Sequence, residues 1–148
     1  MIELVNIEKR FGNKRVLRNI NLNLQEGKVY GLFGPNGVGK TTLLKIMAGY
    51  NKKTSGEYKI NGLDFTYENK DHITFISDKE IFYGWMKIKD AVKYYKDFFT
   101  DFDEEKCLRL VKMMKLEADD KINVLSKGMK ARLKVALAIS RDAKLYLL

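Results

Sequence analysis

The sequence contains few of the residues from which disulfide frameworks and metal centres are built. It has one cysteine, Cys107, and one histidine, His72, in 148 residues. A single cysteine excludes an internal disulfide framework and a thiolate cluster for a metal ion. Cys107 lies in a helical pattern, and His72 is interpreted as an ordinary surface or loop histidine.

Long apolar runs are also missing. No stretch approaches the roughly 20 consecutive apolar residues that cross a bilayer as a helix. The N-terminal residues Met1 to Leu4 do not have the form of a signal peptide. We therefore expect a cytoplasmic protein. With 148 residues, 45% hydrophobic and 32% charged, the chain has the size and composition of one soluble domain.

The formal net charge is +9, and a basic protein invites a nucleic-acid interpretation. Acidic residues are interspersed with the lysines, as at Lys96, Asp97, Asp103 and Lys106. This mixture favours a solvated surface of both signs. Attraction to anionic lipid head groups or to nucleic acid is the alternative.

One glycine-rich stretch stands out from the rest of the chain. It follows an apolar run at residues 29–33 and precedes a helical pattern that is closed by Gly49. It reads Gly34-Pro35-Asn36-Gly37-Val38-Gly39-Lys40-Thr41-Thr42. The spacing G-x-x-x-x-G-K-[ST], between a predicted strand and a predicted helix, is the phosphate-binding P-loop pattern. The alternative is a glycine turn that only joins strand to helix, but the pattern rarely arises by chance.

The residue types of this stretch suit phosphate binding. Gly34, Gly37 and Gly39 can take positive φ and lack a Cβ, so successive backbone N–H groups can turn toward a phosphate. The predicted helix adds unpaired N–H groups and the positive end of its dipole. Lys40 is then placed to reach the β- and γ-phosphates, and the Thr41 hydroxyl to bind Mg²⁺. The next residue, Thr42, is predicted to donate to an α-phosphate oxygen.

The flanking segments predict a mixed architecture. Residues 2–7 and 16–24 alternate as two strands of a small antiparallel sheet, with a turn at Lys14-Arg15. The β-branched run at 73–77 predicts a strand that ends at Asp78. A polar residue at the carboxyl end of a strand is where open α/β sheets place ligand-contacting groups.

Two residues allow both a structural and a binding interpretation. Phe11 lies in the first predicted turn, where its ring could stack on adenine or pack in a core. Ser126, in the segment Leu125-Ser126-Lys127-Gly128, precedes a helical pattern and is a good N-cap residue. This short pattern alone does not decide between a capped helix and a binding segment.

The middle of the chain has helical patterns without a strand. An apolar face begins at Ile88, and Asp101 with Glu104 predicts the N-cap of a second helix. Residues 87–122 are therefore predicted to form a helical lobe. The chain ends in an apolar run at 145–148, which is typical of a buried parallel strand.

The chain contains a P-loop, then a strand with a polar end, then a helical lobe and then a Leu-Ser-x-Gly segment that opens a helix. In this order of motifs, the whole chain resembles the nucleotide-binding domain of ATP-binding cassette (ABC) transporters. Residues 34–42 match the family's Walker A motif. Residues 125–129 match its signature motif, usually LSGGQ, with Lys127 and Met129 as departures. The resemblance implies an α/β fold, with a P-loop NTPase core, an N-terminal antiparallel β subdomain and a helical lobe.

The resemblance implies that residues 1–148 form a partial ABC ATPase domain with three parts. Residues 1–78 form the nucleotide-binding core, 87–122 the helical lobe, and 123–148 the signature helix and the Walker B strand. In the family this strand is followed by the Walker B aspartate and the catalytic glutamate, and a switch histidine lies further on. The chain is therefore expected to be a C-terminally truncated cassette, without a general base and without turnover of its own.

The resemblance also implies ATP and Mg²⁺ as cofactors and assigns roles to single residues. Phe11 falls at the position of the aromatic that stacks on adenine. Ser126 and Gly128 fall where the family contacts the γ-phosphate held by the opposite subunit. Asp78 falls at the Q-loop glutamine, where its carboxylate can offer oxygen to Mg²⁺, together with Thr41, but adds negative charge facing the γ-phosphate.

The function implied is ATP binding and hydrolysis coupled to membrane transport, with export as the expected direction. The implied partners are a second nucleotide-binding domain, which completes two shared ATP sites, and a transmembrane permease subunit, which holds the protein at the inner face of the cell membrane. Residues 81–86, rich in large apolar groups, suit either packing between lobes or a groove for a helix of that permease. The alternatives are a soluble ABC-type ATPase acting on nucleic acid or ribosomes, which the charge of +9 supports modestly, and a P-loop kinase or GTPase, which leaves the signature segment unexplained.

Overall fold

The computed structural model describes residues 1–66, 72–77 and 82–148. Their backbone contacts divide the chain into two compact units, Met1–Lys70 and Asp71–Leu148. None of the helices in the described ranges has both the length and the apolar character of a membrane span. The predicted Q-loop residue Asp78 lies outside the described residues, as does Ile81 at the start of the predicted groove.

Over residues 1–66, the first unit is an antiparallel sheet with one helix, as the sequence predicted for the N-terminal part. Its strands, in the order β2-β1-β3-β4 across the sheet, are β1 (Ile2–Phe11), β2 (Lys14–Leu24), β3 (Ser55–Ile60) and β4 (Leu63–Asp64). Each neighbouring pair is antiparallel. Helix α1 spans Lys40–Met47 and ends just before Gly49, as predicted.

The core of the first unit combines one sheet face with the apolar stripe of α1. Its buried side chains are Ile2, Leu4, Ile7, Leu17, Leu43, Ile46, Met47 and Tyr58. Burying one such aliphatic side chain stabilises a fold by about 1.5–3 kcal/mol. The Tyr58 hydroxyl donates to the Met47 carbonyl oxygen at 2.8 Å, which joins β3 to the end of α1. Burial also raises the pKa of the Tyr58 phenol.

The turn between β1 and β2 differs from the sequence prediction. The strands pair up to Phe11 opposite Lys14 and Arg10 opposite Arg15, so the turn is Gly12–Asn13 and not Lys14-Arg15. The dipeptide Gly-Asn is a frequent two-residue hairpin turn. The prediction placed the turn two residues too late because Lys14 and Arg15, which follow Gly12–Asn13 directly, are also polar.

The strand predicted at residues 29–33 is not formed, and that prediction was wrong. Val29 is 101% and Phe33 92% exposed. The strand pairs of the described residues do not include this run. An apolar run becomes a strand only where a neighbouring strand pairs with its N–H and C=O groups. A local pattern does not show whether that neighbour exists.

In its described residues, 72–77 and 82–148, the second unit contains three α-helices, a 3-10 helix at 122–124 and a two-stranded parallel sheet. In the sheet, β5 (Ile73–Phe75) pairs with β6 (Leu145–Leu147), so the C-terminal apolar run is a parallel strand as predicted. The helices are α2 (Ile88–Phe98), α3 (Glu104–Met113), the 3-10 helix (Ile122–Val124) and α4 (Lys127–Ile139). Their facing sides form one apolar core, which includes Ile88, Val92, Cys107, Val111, Leu133 and Leu137.

The N-cap of α3 was predicted two residues too early, at Asp101. The cap is Asp103, whose side chain accepts from the Lys106 N–H at 2.8 Å. Asp101 instead binds Arg141, with Nε 3.0 Å from Oδ1. The prediction was wrong because the partner of Asp101 lies 40 residues away, beyond the reach of a local capping pattern.

Candidate nucleotide-binding site

The glycine-rich stretch forms an open loop that leads into α1. Gly34, Gly37 and Gly39 have φ of 154°, 81° and 111°, a region that side chains with a Cβ rarely occupy. Residues 34–38 are exposed. Positive φ at these three positions is compatible with the predicted phosphate loop, in which successive N–H groups turn toward an anion.

The helix begins directly at Lys40, with Gly39 as its N-cap. Gly39 has ψ of 4° and carries no side-chain cap. Its carbonyl oxygen accepts from the Leu43 N–H at 2.9 Å, the first bond of the helix. The N–H groups of the first turn have no carbonyl partner within an α-helix, so they and the positive end of the helix dipole are available to an anion.

The loop is fixed against the sheet at this N-cap. A Cβ added to Gly39 would lie 2.8 Å from the Leu17 side chain and 3.2 Å from the Val16 carbonyl oxygen. Glycine at position 39 thus permits a close approach of β2 to the start of α1, which a Cβ would disturb. The contact of Gly39 with β2 therefore fixes the position of the N-terminus of α1.

The Lys40 side chain folds back across the loop. Its ammonium donates to the carbonyl oxygens of Gly34 at 2.6 Å and Pro35 at 2.8 Å. An ammonium group close to a helix N-terminus favours a phosphate there, because both groups are positively charged.

The two threonines follow Lys40 in the first turn of α1. Thr41 is exposed and Thr42 is half-buried. A hydroxyl oxygen on an exposed helix N-terminus is compatible with Mg²⁺, which takes one or two protein oxygens and completes its shell with phosphate oxygens and water. The Thr41 hydroxyl oxygen is therefore a suitable ligand for the predicted Mg²⁺.

Phe11 is the last residue of β1 and is 50% exposed. It is not a core residue, so its ring is accessible for stacking. The Lys9 ammonium lies 4.6 Å from the centre of this ring. Lys9 was not among the predicted site residues, although its position two residues before Phe11 on a strand indicates that both side chains share a face.

The signature segment lies in the second unit, at the start of α4. The Ser126 hydroxyl oxygen accepts from the Met129 N–H at 3.2 Å, so Ser126 is the N-cap as its sequence context predicted. The hydroxyl proton is still free to be donated by rotation about the C–O bond. Ser126, Lys127 and Gly128 are exposed, and a Cβ added to Gly128 would meet no atom within 4 Å.

Contacts of the signature helix hold it within the second unit. The Arg132 guanidinium donates to the Met114 carbonyl oxygen at the end of α3, at 2.8 Å. The Lys134 ammonium donates to the Ser77 carbonyl oxygen just after β5, at 3.1 Å. These two long-range contacts were not predicted, because no local pattern identifies a partner 18 or 57 residues away in the sequence.

Comparisons with known proteins agree with these motifs. The family model for ABC transporters matches residues 17–148. A lantibiotic transport ATP-binding protein, SrtF of Streptococcus pyogenes, is 33% identical over 150 residues, which cover 100% of this chain and 65% of that relative. The chain thus spans about two thirds of the length of this curated relative.

Solved structures are similar over nearly the whole chain. A putative ABC transporter ATP-binding protein from Pyrococcus furiosus has a TM-score of 0.87 at 26% identity, covering 98% of this chain and 72% of that one. The ATP-binding cassette MJ0796, solved as a dimer in a post-hydrolysis state with ADP and Pi, has a TM-score of 0.81 at 26% identity, covering 99% and 72%. The fold is that of ABC ATPase cassettes, with a P-loop NTPase core, and the chain belongs to the ABC transporter family.

Proposed function

We propose that this chain is the ATP-binding portion of an ABC transporter subunit, and that the whole protein couples ATP binding and hydrolysis to membrane transport. One observation carries the proposal: a loop with three positive-φ glycines leads into a helix N-terminus, and the Lys40 ammonium lies across it. Membership of the ABC transporter family supports ATP as the nucleotide.

Each group of the site has a proposed task. The backbone N–H groups of residues 34 and 36–42 enclose the phosphates, Lys40 neutralises the β- and γ-phosphates, and Thr42 donates to an α-phosphate oxygen. The Thr41 hydroxyl holds Mg²⁺, together with Asp78. Phe11 stacks on the adenine ring, which its 50% exposure permits. For the 148 residues by themselves, we propose nucleotide binding without turnover, because no position matched to the family supplies a general base.

A second nucleotide-binding domain is the proposed partner for the signature segment. Ser126 and Gly128 would contact a γ-phosphate held by the other copy, through the hydroxyl and through N–H groups at the start of α4. The exposure of both residues supports this task. The structural relative with ADP and Pi is described as a dimer, which supports a paired arrangement.

A transmembrane permease subunit is the second proposed partner, and it would place the protein at the inner face of the membrane. Tyr83 and Trp85 are 65% and 70% exposed and stack with ring centres 6.0 Å apart. Two exposed aromatic rings side by side supply apolar area of the kind that anchors a partner helix. Export is the direction of transport that we propose, from the resemblance to exporter-type cassettes.

Calorimetric titration with ATP and magnesium tests the nucleotide site. We expect binding by the chain and at least about a tenfold weaker affinity for Lys40→Ala, since hydrogen bonds to charged groups contribute about 1.5–3 kcal/mol. Lys45→Ala, a lysine in the last turn of the same helix, is the matched control and should bind as the parent chain does. Equal loss in both variants, or no binding by the well-folded parent chain, would refute the proposal.

A further inference from the structure

The Lys9 side chain has two fixed contacts on the first unit. Its ammonium donates to the Lys52 carbonyl oxygen at 2.6 Å and lies 4.6 Å from the centre of the Phe11 ring. Lys52 belongs to the loop that follows α1. The cation is therefore held by a carbonyl on one side and covers one ring face on the other.

This contact lies on the side of the sheet that meets the P-loop. Lys9 pairs with Leu17 across β1 and β2, and Leu17 is the side chain that approaches Gly39 at the start of α1. The loop that contains Lys52 continues from the same helix, since the Asn51 N–H donates to the Lys45 carbonyl oxygen at 3.0 Å. Lys9 thus connects the aromatic ring to the loop that follows α1.

The loop does not depend on Lys9 for its position. The Thr54 N–H donates to the Glu8 carbonyl oxygen at 2.8 Å, and the Arg10 N–H donates to the Thr54 hydroxyl at 2.9 Å. These backbone contacts attach the loop to β1 on either side of Lys9. Replacement of the ammonium should therefore leave the fold intact and release only the ring.

We propose that Lys9 is a positioning residue for the nucleobase. This inference rests on the proposed function. Lys9 holds the Phe11 ring by a cation–π contact on one face and leaves the opposite face for the adenine. A ring fixed before binding loses less rotational freedom when the base stacks on it, so the contact raises affinity for nucleotides and leaves affinity for bare phosphates unchanged. Exposed cation–π contacts correspond to about a two- to fivefold change in affinity.

The test compares ATP with inorganic tripolyphosphate, each with magnesium, by calorimetry on the full chain. Lys9→Met keeps the aliphatic stem and removes the charge, and we expect it to weaken ATP binding about two- to fivefold with no change for tripolyphosphate. Lys9→Arg should restore ATP affinity, since a guanidinium also stacks on an aromatic ring and donates to a carbonyl. In the Phe11→Ala background, Lys9→Met should have no further effect.

Lys14→Met is the matched control, because Lys14 pairs with Phe11 across the hairpin but makes no cation–π contact in the described structure. Circular dichroism and the thermal midpoint verify that each variant is folded. The proposal for Lys9 is overturned if Lys9→Met weakens both ligands equally, if it weakens neither, or if its effect persists without the Phe11 ring. Failure of the proposed function is distinguishable, since the parent chain would then bind neither ATP nor tripolyphosphate.

Discussion

The Arg141 guanidinium and the Asp101 carboxylate form a two-point ion pair, with Nε 3.0 Å from Oδ1 and Nη2 3.1 Å from Oδ2. The guanidinium also lies over the Phe99 ring, with Cζ 3.9 Å from its centre. The Arg141 side chain is only 8% exposed. Asp101 precedes α3 and Arg141 follows α4, so the pair joins the start of one helix to the end of the other.

Loss of the Asp101 charge should destabilise the second unit. Asp101→Asn removes a charge-assisted pair from a buried guanidinium, and we expect the free energy of unfolding to fall by about 1–3 kcal/mol. Asp103→Asn is the control, because asparagine and aspartate are similar N-caps. Urea unfolding of both variants measures the change. If the free energy of unfolding fell as much in Asp103→Asn as in Asp101→Asn, the ion pair with Arg141 would not explain the loss.

Two glycines that lie in different surroundings should respond oppositely to alanine. Gly56 has φ of 95°, and a Cβ there would lie 2.5 Å from the Asn6 carbonyl oxygen. We expect Gly56→Ala to cost at least about 2 kcal/mol from the left-handed backbone and the clash together. Gly128→Ala has open space and should be neutral or stabilising by up to about 1 kcal/mol, as alanine favours helix. Urea midpoints measure both changes, and a Gly56→Ala midpoint equal to that of the parent would contradict the structure.

The same Gly128→Ala variant tests the role of the signature segment. If Gly128 approaches a γ-phosphate held by a second copy, its new methyl group should reduce ATP-driven dimerisation while the fold stays intact. Light scattering with and without ATP measures the change. Ala131→Gly, at an exposed position further along α4, is the control for helix content. Dimerisation that is the same in Gly128→Ala and the parent would remove Gly128 from the proposed interface.

Glycine should stabilise the end of α3. Lys115 has φ of 58°, and the N–H groups of Leu116 and Lys115 donate to the carbonyl oxygens of Val111 and Lys112, each at 3.0 Å. This is a Schellman motif, in which glycine is favoured at the left-handed position. Lys115→Gly should therefore raise the free energy of unfolding by about 0.5–1 kcal/mol, and Lys112→Gly, inside the helix, should lower it by about 1 kcal/mol. Thermal and urea unfolding would contradict this if both changes had the same sign.

The buried thiol predicts a pH dependence of stability. Burial raises the pKa of Cys107 to about 11, above the value of roughly 8.5 for an exposed thiol. The folded state therefore favours the protonated thiol, and its contribution is complete below the unfolded pKa and lost as the pH rises through the folded pKa. We expect the free energy of unfolding to fall more steeply with pH in this window for the parent than for Cys107→Ala. Parallel slopes for the two proteins would contradict it.

Features that depend on neighbouring residues were predictable from the sequence. The positive φ at positions 34, 37 and 39 follows from the glycine spacing, because residues with a Cβ rarely adopt such values. Alternation predicted β1 and β2, and the Ser126 cap followed from the residue type before a helical pattern.

Features that depend on distant residues were not predictable. The run at 29–33 has the composition of a strand, but pairing decides whether one forms. Asp101 and Asp103 are both plausible caps in sequence, and Arg141 decides between them. Lys9 was missed for the same reason, since its contact with the Lys52 carbonyl joins segments 43 residues apart.

The central claim is that main-chain amides of the glycine loop enclose the phosphates of ATP. Nuclear magnetic resonance of the ¹⁵N-labelled chain, titrated with ATP and magnesium, observes these amides directly. We predict that the largest shifts and the slowest hydrogen exchange appear in the amides of residues 34 and 36–42, and that Lys40→Ala reduces both the shifts and the protection from exchange. ATP binding that leaves these amides unchanged and shifts others instead would contradict the account.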